Sequence, residues 1–104
     1  MFGGMMNKMK EAQEKMQEIK ERLDQVSVKG EAGNGKVVVI VSASKKVKEI
    51  KIDPEFHKAS EAEEMEDMIM LAMEDAMAKA ENVAESESKG ALGGILPNIP
   101  GLNL

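Results

Sequence analysis

The residues of this chain with the clearest chemical potential are cations on its first predicted helix. Lys8, Lys15 and Arg22 recur every seven residues, and Lys20 lies on the other flank of the same apolar seam. Seven residues make two turns, so the first three cations share one edge of the helix. Ammonium and guanidinium groups in a row suit the phosphates of a polyanion. The same placement is also ordinary coiled-coil charge patterning, and the spacing leaves both interpretations open.

Other kinds of chemistry find little support in the sequence. The chain has no Cys and a single histidine, His57, so thiolate chemistry is absent and a Ser-His-Asp set has no clear basis. Acidic residues crowd positions 61–67, but consecutive helical residues splay around the axis, which favours a solvated face over a metal site. The glycines of 30–35 lack the Lys-Ser/Thr of a phosphate loop. We predict no catalytic residue, metal site, cofactor or small-molecule substrate, and therefore no enzyme.

A long helix over residues 5–26 is predicted to carry the cations. Its apolar residues are spaced alternately by four and three, which is the heptad pattern of a coiled-coil seam. Three heptads are marginal for an autonomous coiled coil, so we expect the seam to meet another helix or a sheet. The seam consists of Met5, Met9, Ala12, Met16, Ile19, Leu23 and Val26.

Three short strands are predicted after this helix. Asn34-Gly35 favours a type I′ hairpin turn, because both central residues of that turn need positive φ. The turn joins strands near 26–32 and 36–43. Val47–Ile52 forms the third strand, which Asp53-Pro54 ends because proline cannot continue a ladder. The connections are tight, so the strands should form an antiparallel meander.

A second long helix and a tail complete the predicted domain. Ser60-Glu-Ala-Glu63 is the pattern of a capping box, and the helix should run to about Lys89, with Gly90 at its end. The fold class is therefore α+β, with the order α-β-β-β-α in one domain over residues 1–90. Residues 91–104 are rich in Gly and Pro and aperiodic, which predicts a flexible tail.

The central strand, Val37–Val41, is apolar on both of its faces. A chain of 104 residues builds only one modest core, so its own helices should cover one face and leave the other bare. We therefore predict a homodimer, and the sequence leaves open which face of the strand meets the partner. The predicted interface residues are Val37, Val38, Val39, Ile40, Val41, Met70 and Leu71.

Charge is distributed unevenly along the chain. The formal net charge is −5, yet 11 of the 14 Lys and Arg lie in residues 1–52. Such asymmetry is a recognised hint of a polyanion-binding end. Only two residues are aromatic, which argues against base stacking. No apolar run approaches the length of a membrane span and no signal-peptide core is present, so we expect a soluble cytoplasmic protein.

Several short motifs follow one another in a specific order along the chain: Met1-Phe-Gly-Gly, Met9-Lys-Glu-Ala-Gln-Glu-Lys-Met-Gln-Glu, Gly30-Glu-Ala-Gly-Asn-Gly-Lys-Val and Glu49-Ile-Lys-Ile-Asp-Pro. Their order resembles that of the YbaB/EbfC family of bacterial nucleoid-associated proteins. The resemblance implies an α-β3-α fold and a tight, tweezers-like homodimer with projecting helices. It also implies binding to DNA in the nucleoid with little sequence selectivity. The chain departs from the family pattern at the turn between the second and third strands, where Ser42-Ala-Ser-Lys replaces the usual Asn-Gly.

Two functions follow from these observations. The leading hypothesis is a dimeric, architectural DNA-binding protein that contacts phosphates. The alternative is a protein-interaction or chaperone-like helical adaptor that uses its methionine-rich surfaces and does not bind DNA. The DNA contacts of the leading hypothesis are assigned to Lys8, Lys15, Lys20 and Arg22.

Overall fold

The computed structural model describes residues 2–92 and confirms the α+β class. The three strands form one antiparallel sheet in the order β1-β2-β3, which is the predicted meander. The second long helix continues to Leu92, two residues into the predicted tail of 91–104, and residues 93–104 lie outside the described residues. The elements are α1 (Phe2–Gln25), β1 (Ser27–Ala32), β2 (Val37–Ser42), β3 (Val47–Ile52), α2 (Pro54–Ala59) and α3 (Ala62–Leu92).

The turn between β1 and β2 has the predicted type I′ character. The Lys36 amide donates to the Gly33 carbonyl at 3.3 Å, which closes a turn around two central residues. Asn34 has φ 57° and Gly35 has φ 87°, as a type I′ turn requires. This turn sets the register in which Gly30 pairs with Val39.

The segment between β3 and the second long helix differs from the prediction. Asp53 caps the short helix α2 by accepting a 3.1 Å hydrogen bond from the Phe56 amide, and Pro54 occupies the first helical position. His57 therefore lies on a helix that the sequence did not predict, where it is exposed. The predicted capping role of Ser60 is wrong, because its hydroxyl donates to the Phe56 carbonyl and ends α2 instead.

The main core lies between α3 and the β1–β2 part of the sheet. Val37, Val39 and Val41 of β2 are fully buried against a stripe of small residues on α3. The stripe consists of Ala72, Ala76 and Ala80. A second, smaller core joins Ile19 and Leu23 of α1 to Ala43.

The burial of β2 corrects part of the interface prediction. Val37, Val39 and Val41 have no exposed surface within a single protomer, so they cannot also line a surface for a second copy. Val38 and Ile40 point to the opposite side of the sheet and are half-buried.

No helix among residues 2–92 combines the length and apolar content needed to cross a bilayer.

Candidate nucleic-acid interface

Helix α1 extends well beyond the part of it that packs on the protomer. Ile19 and Leu23, near its C-terminal end, are buried, whereas Met9 and Met16 are more than 60% exposed. At 1.5 Å per residue the helix is about 36 Å long, so its N-terminal two thirds offer a largely free surface. The exposed methionines of this surface are Met5, Met6, Met9 and Met16.

The last turns of α3 run beside α1 and extend beyond the sheet together with it. Val83 and Ala84 pack on the small core around Leu23, and Glu87 lies one turn further along, beside Arg22. The helices are antiparallel, because the contacts run from Leu23 with Val83 and Ala84 to Arg22 with Glu87, and the cleft between the helices continues to Lys15 and Gly90. Helix α3 has 31 residues and is about 46 Å long, whereas a six-residue strand spans about 20 Å. Helix α3 therefore outruns the sheet. We call residues 4–25 together with 83–90 the arm.

The four predicted phosphate-contacting cations are all exposed on the arm, but they do not form a single site. Lys15 and Arg22 line the same cleft between α1 and α3. Lys8 lies two turns further toward the N-terminus on the same edge. Lys20 is on the other flank of the seam, well away from that edge around the helix axis. A phosphate backbone that meets the first three along one line would meet Lys20 only by lying across the helix.

The cleft between the two helices is balanced in charge. It has a volume of about 290 Å³ and buried Ile19 forms part of its lining. Lys15 Nζ lies 3.5 Å from Glu18 Oε2 on the same helix. Arg22 Nη1 lies 3.1 Å from Glu87 Oε2 on the neighbouring helix. Each cation in the cleft therefore already has an acidic partner. Sequence reasoning could not identify Glu87 as the partner of Arg22, because the two residues are 65 positions apart.

A polar network fixes the base of α1 to the β2–β3 connection. Asp24 accepts a hydrogen bond from the Ser44 hydroxyl, and Lys46 Nζ lies 3.4 Å from the same carboxylate. Ser44 is in turn hydrogen-bonded to the Ser42 hydroxyl at 2.7 Å. The Ser44 hydrogen bond is the largest cause that lowers the pKa of Asp24, with smaller contributions from Lys46 and Lys20. Ser42 and Ser44 belong to the Ser42-Ala-Ser-Lys turn, where the sequence departs from the usual Asn-Gly. That departure was the one sequence signal that could have indicated this network.

The lysines around the sheet have local partners too. Lys45, at φ 73°, pairs with Glu81 of α3. Lys48 Nζ donates to the Ser27 hydroxyl at 3.0 Å. Along the side of the sheet that faces away from α3, ion pairs link Lys29 to Glu31 and Lys51 to Glu49. These cations are tied to neighbouring side chains, whereas Lys8 and Lys20 make no ion pair within residues 2–92.

A sequence profile of the YbaB/EbfC DNA-binding family matches residues 1–95 of the chain. The chain belongs to this family. YbaB/EbfC membership confirms the resemblance predicted from the order of short motifs, and it agrees with named relatives. A nucleoid-associated protein of Afipia carboxidovorans is 42% identical over 103 residues, which cover 99% of this chain and 96% of the relative. One from Dictyoglomus thermophilum is 43% identical over 97 residues, covering 93% and 92%.

The fold of this YbaB/EbfC chain also has a solved neighbour. The crystal structure of an uncharacterized protein from Helicobacter pylori superposes with a TM-score of 0.68 at 21% identity. The match covers 88% of this chain and 94% of the neighbour. At that identity the likeness bears on the fold alone, and it agrees with the α-β-β-β-α order.

A further apolar surface of the YbaB/EbfC protomer lies on β3. Ile50 pairs across the ladder with buried Val39, so its side chain is on the α3 side of the sheet. Helix α3 packs on β1 and β2, and this leaves Ile50 44% exposed and Val47 49% exposed. Met70 and Leu71 of α3, two of the predicted interface residues, are exposed as well. Within residues 2–92, no three His, Asp or Glu side chains are arranged to hold a metal ion.

Proposed function

We propose that this chain is a homodimeric, nucleoid-associated protein that binds the phosphate backbone of DNA with little sequence selectivity. Family membership supports DNA as the partner, and the names of the relatives support the nucleoid as the location. The observation that carries the proposal is the exposed basic edge of α1, where Lys8, Lys15 and Arg22 follow one line along a helix that is largely free of the protomer.

The chemistry of this edge favours phosphate contacts over base reading. Lysine ammonium groups on long flexible stems act as point charges and carry no base-specific geometry. The N-terminal end of the helix, residues 4–10, holds Lys8 and Lys10 and no acidic residue. Phe56 is buried in the core, and Phe2 is the only other aromatic residue in the sequence. Stacking or intercalation therefore contributes little, and affinity should come mainly from counterion release.

A second copy is proposed to cover the apolar surface that the protomer leaves open on the α3 side of β3. Val47, Ile50, Met70 and Leu71 are each at least 44% exposed, although large apolar side chains gain most from burial. The opposite side of the sheet suits a partner less well, because half-buried Val38 and Ile40 lie between rows of paired lysine and glutamate side chains. A two-fold dimer would present two arms, and so two basic edges, to one duplex.

Fluorescence anisotropy with short duplexes of unrelated sequence, at several salt concentrations, tests the proposal. We expect binding to every duplex with similar affinity and a steep loss of affinity as salt increases. The alternative function is an adaptor for other proteins, which the exposed methionines of the arm favour. If the intact protein leaves every duplex unbound at low salt, the adaptor function is favoured.

A further inference from the structure

We propose that Glu87 of α3 restrains DNA binding by occupying the place of a phosphate on Arg22. The inference rests on the proposed function and adds to it a competitor built into the protein. Arg22 Nη1 and Glu87 Oε2 are 3.1 Å apart, which is within hydrogen-bond distance for a charge-assisted contact. A DNA phosphate offers the same kind of ligand, an anionic oxygen, to the same guanidinium.

The two partners of this pair belong to different helices of the arm, and this distinguishes the pair from the other ion pair of the cleft. Lys15 pairs with Glu18 three residues later on the same helix, so that acid accompanies the lysine wherever α1 is placed. Glu87 reaches Arg22 only because α3 extends beyond the end of the sheet and lies along α1. Residues 83–90 therefore determine whether the guanidinium is paired.

The pair is accessible to a competing anion. The Arg22 side chain is 56% exposed and the Glu87 side chain 36% exposed, so a phosphate can approach the guanidinium without unfolding the arm. Exposed ion pairs are weak, with typical coupling equivalent to less than a factor of about five in an equilibrium constant. DNA can thus displace Glu87, and the carboxylate lowers affinity without abolishing binding.

Glu85 provides a matched control on the same helix. It lies two residues from Glu87, carries the same charge and is exposed, and it forms no ion pair within residues 2–92. Glu87→Gln and Glu85→Gln change the net charge of the protein equally, and both keep a side chain of good helix propensity. A difference between the two variants therefore reports the contact with Arg22 rather than the overall charge.

The test measures duplex affinity at one low salt concentration for the full-length parent, E87Q, E85Q, R22Q and the double variant R22Q/E87Q. We expect E87Q to bind about three- to five-fold more tightly than the parent, and E85Q to gain clearly less. In the R22Q background, E87Q should raise the duplex affinity no more than E85Q raises it in the parent, because the guanidinium that Glu87 contacts is absent from R22Q. Thermal unfolding by circular dichroism checks that all variants are folded.

Several outcomes would overturn the inference. Equal gains for E87Q and E85Q, or a gain from E87Q that persists undiminished in R22Q, would show that Glu87 acts only through general electrostatics. An unchanged affinity for E87Q, beside clear binding by the parent, would refute the restraint and leave the proposed function standing. Absence of binding in the parent and in every folded variant would refute the proposed function, and the restraint with it.

Discussion

Gly30 of β1 lies so close to Ala76 of α3 that a Cβ atom on Gly30 would sit 2.3 Å from the Ala76 backbone nitrogen. It would also lie 2.3 Å from the Ala72 carbonyl oxygen. Atoms of a helix backbone cannot yield as the end of a flexible side chain can. The absence of a side chain at position 30 therefore decides how closely α3 packs on the sheet.

Replacement of Gly30 by alanine should destabilise the protein strongly. The new methyl group forces α3 away from β1, and overpacking of this kind typically costs about 1–3 kcal/mol. Urea denaturation should show a lower free energy of unfolding for Gly30→Ala. Gly4→Ala is the matched control, because a Cβ there meets nothing within 4 Å and alanine favours a helix over glycine by about 0.5–1 kcal/mol. Equal effects of the two substitutions would contradict the packing argument.

The hydrogen bond that Asp75 accepts from β1 should make stability depend on pH in the acid range. The 3.0 Å bond from the Glu31 amide is the largest cause that lowers the pKa of Asp75, followed by Lys79. A carboxyl group with a lowered pKa stabilises the fold above its unfolded-state pKa of about 4. That contribution is lost as the pH falls through the folded-state pKa.

The Asp75→Asn variant should therefore be less stable than the parent at neutral pH. Its free energy of unfolding should also fall less than that of the parent on acidification. Chemical denaturation at a series of pH values below about 5 measures this difference. Asp67→Asn is the control, because Asp67 is exposed on the same helix and forms no side-chain hydrogen bond within residues 2–92. The assignment fails if the two variants have the same pH profile.

Removal of the four arm cations should weaken DNA binding for every sequence alike. The slope of log K against log salt should fall by about 0.9 for each DNA phosphate that the variant no longer neutralises. Glutamine keeps helix propensity, so the fold should survive in the variant. The variant replaces Lys8, Lys15, Lys20 and Arg22 with Gln.

A second variant tests whether the DNA-binding cations lie on the arm or around β3. It replaces the same number of cations with Gln, at Lys45, Lys46, Lys48 and Lys51, all four of which have local partners. We expect this variant to keep more affinity and more salt dependence than the arm variant. The reverse order would place the DNA-binding surface on the sheet.

A charged residue on the α3 side of β3 should dissociate the proposed dimer. Ile50→Asp places a carboxylate at 44% exposed Ile50, where the partner would bury it without a counter-charge at a cost of several kcal/mol. Sedimentation equilibrium should then show a folded monomer, while the parent is a dimer at micromolar concentration. Val38→Asp, on the opposite side of the sheet, should stay dimeric. If Val38→Asp alone dissociates, the interface lies on that opposite side.

Sequence reasoning performed well where neighbours along the chain decide the structure. The helix that the heptad spacing predicts and the Asn34-Gly35 turn both form, because these signals act within a few residues. The expectation that the whole seam meets another element is wrong for the protomer, since Ile19 and Leu23 are buried but Met5, Met9 and Met16 are exposed. The same kind of signal was overlooked at Asp53-Pro54, where the N-cap and the first-turn proline of α2 were interpreted only as the end of a strand. That omission made Ser60 appear to be a cap for the following helix, although its hydroxyl closes the preceding one.

The sequence alone predicted the order of the strands and the two long helices, the family and the basic edge of α1, because periodicity, turn chemistry and motif order are properties of nearby residues. The tertiary structure alone decided which side of β2 is core, because α3 can approach the sheet closely only over Gly30. It also decided that Arg22 is paired with Glu87, since residues 65 apart in sequence meet only when two long helices lie side by side. Contacts of this kind depend on how whole elements pack, and no local spacing records them.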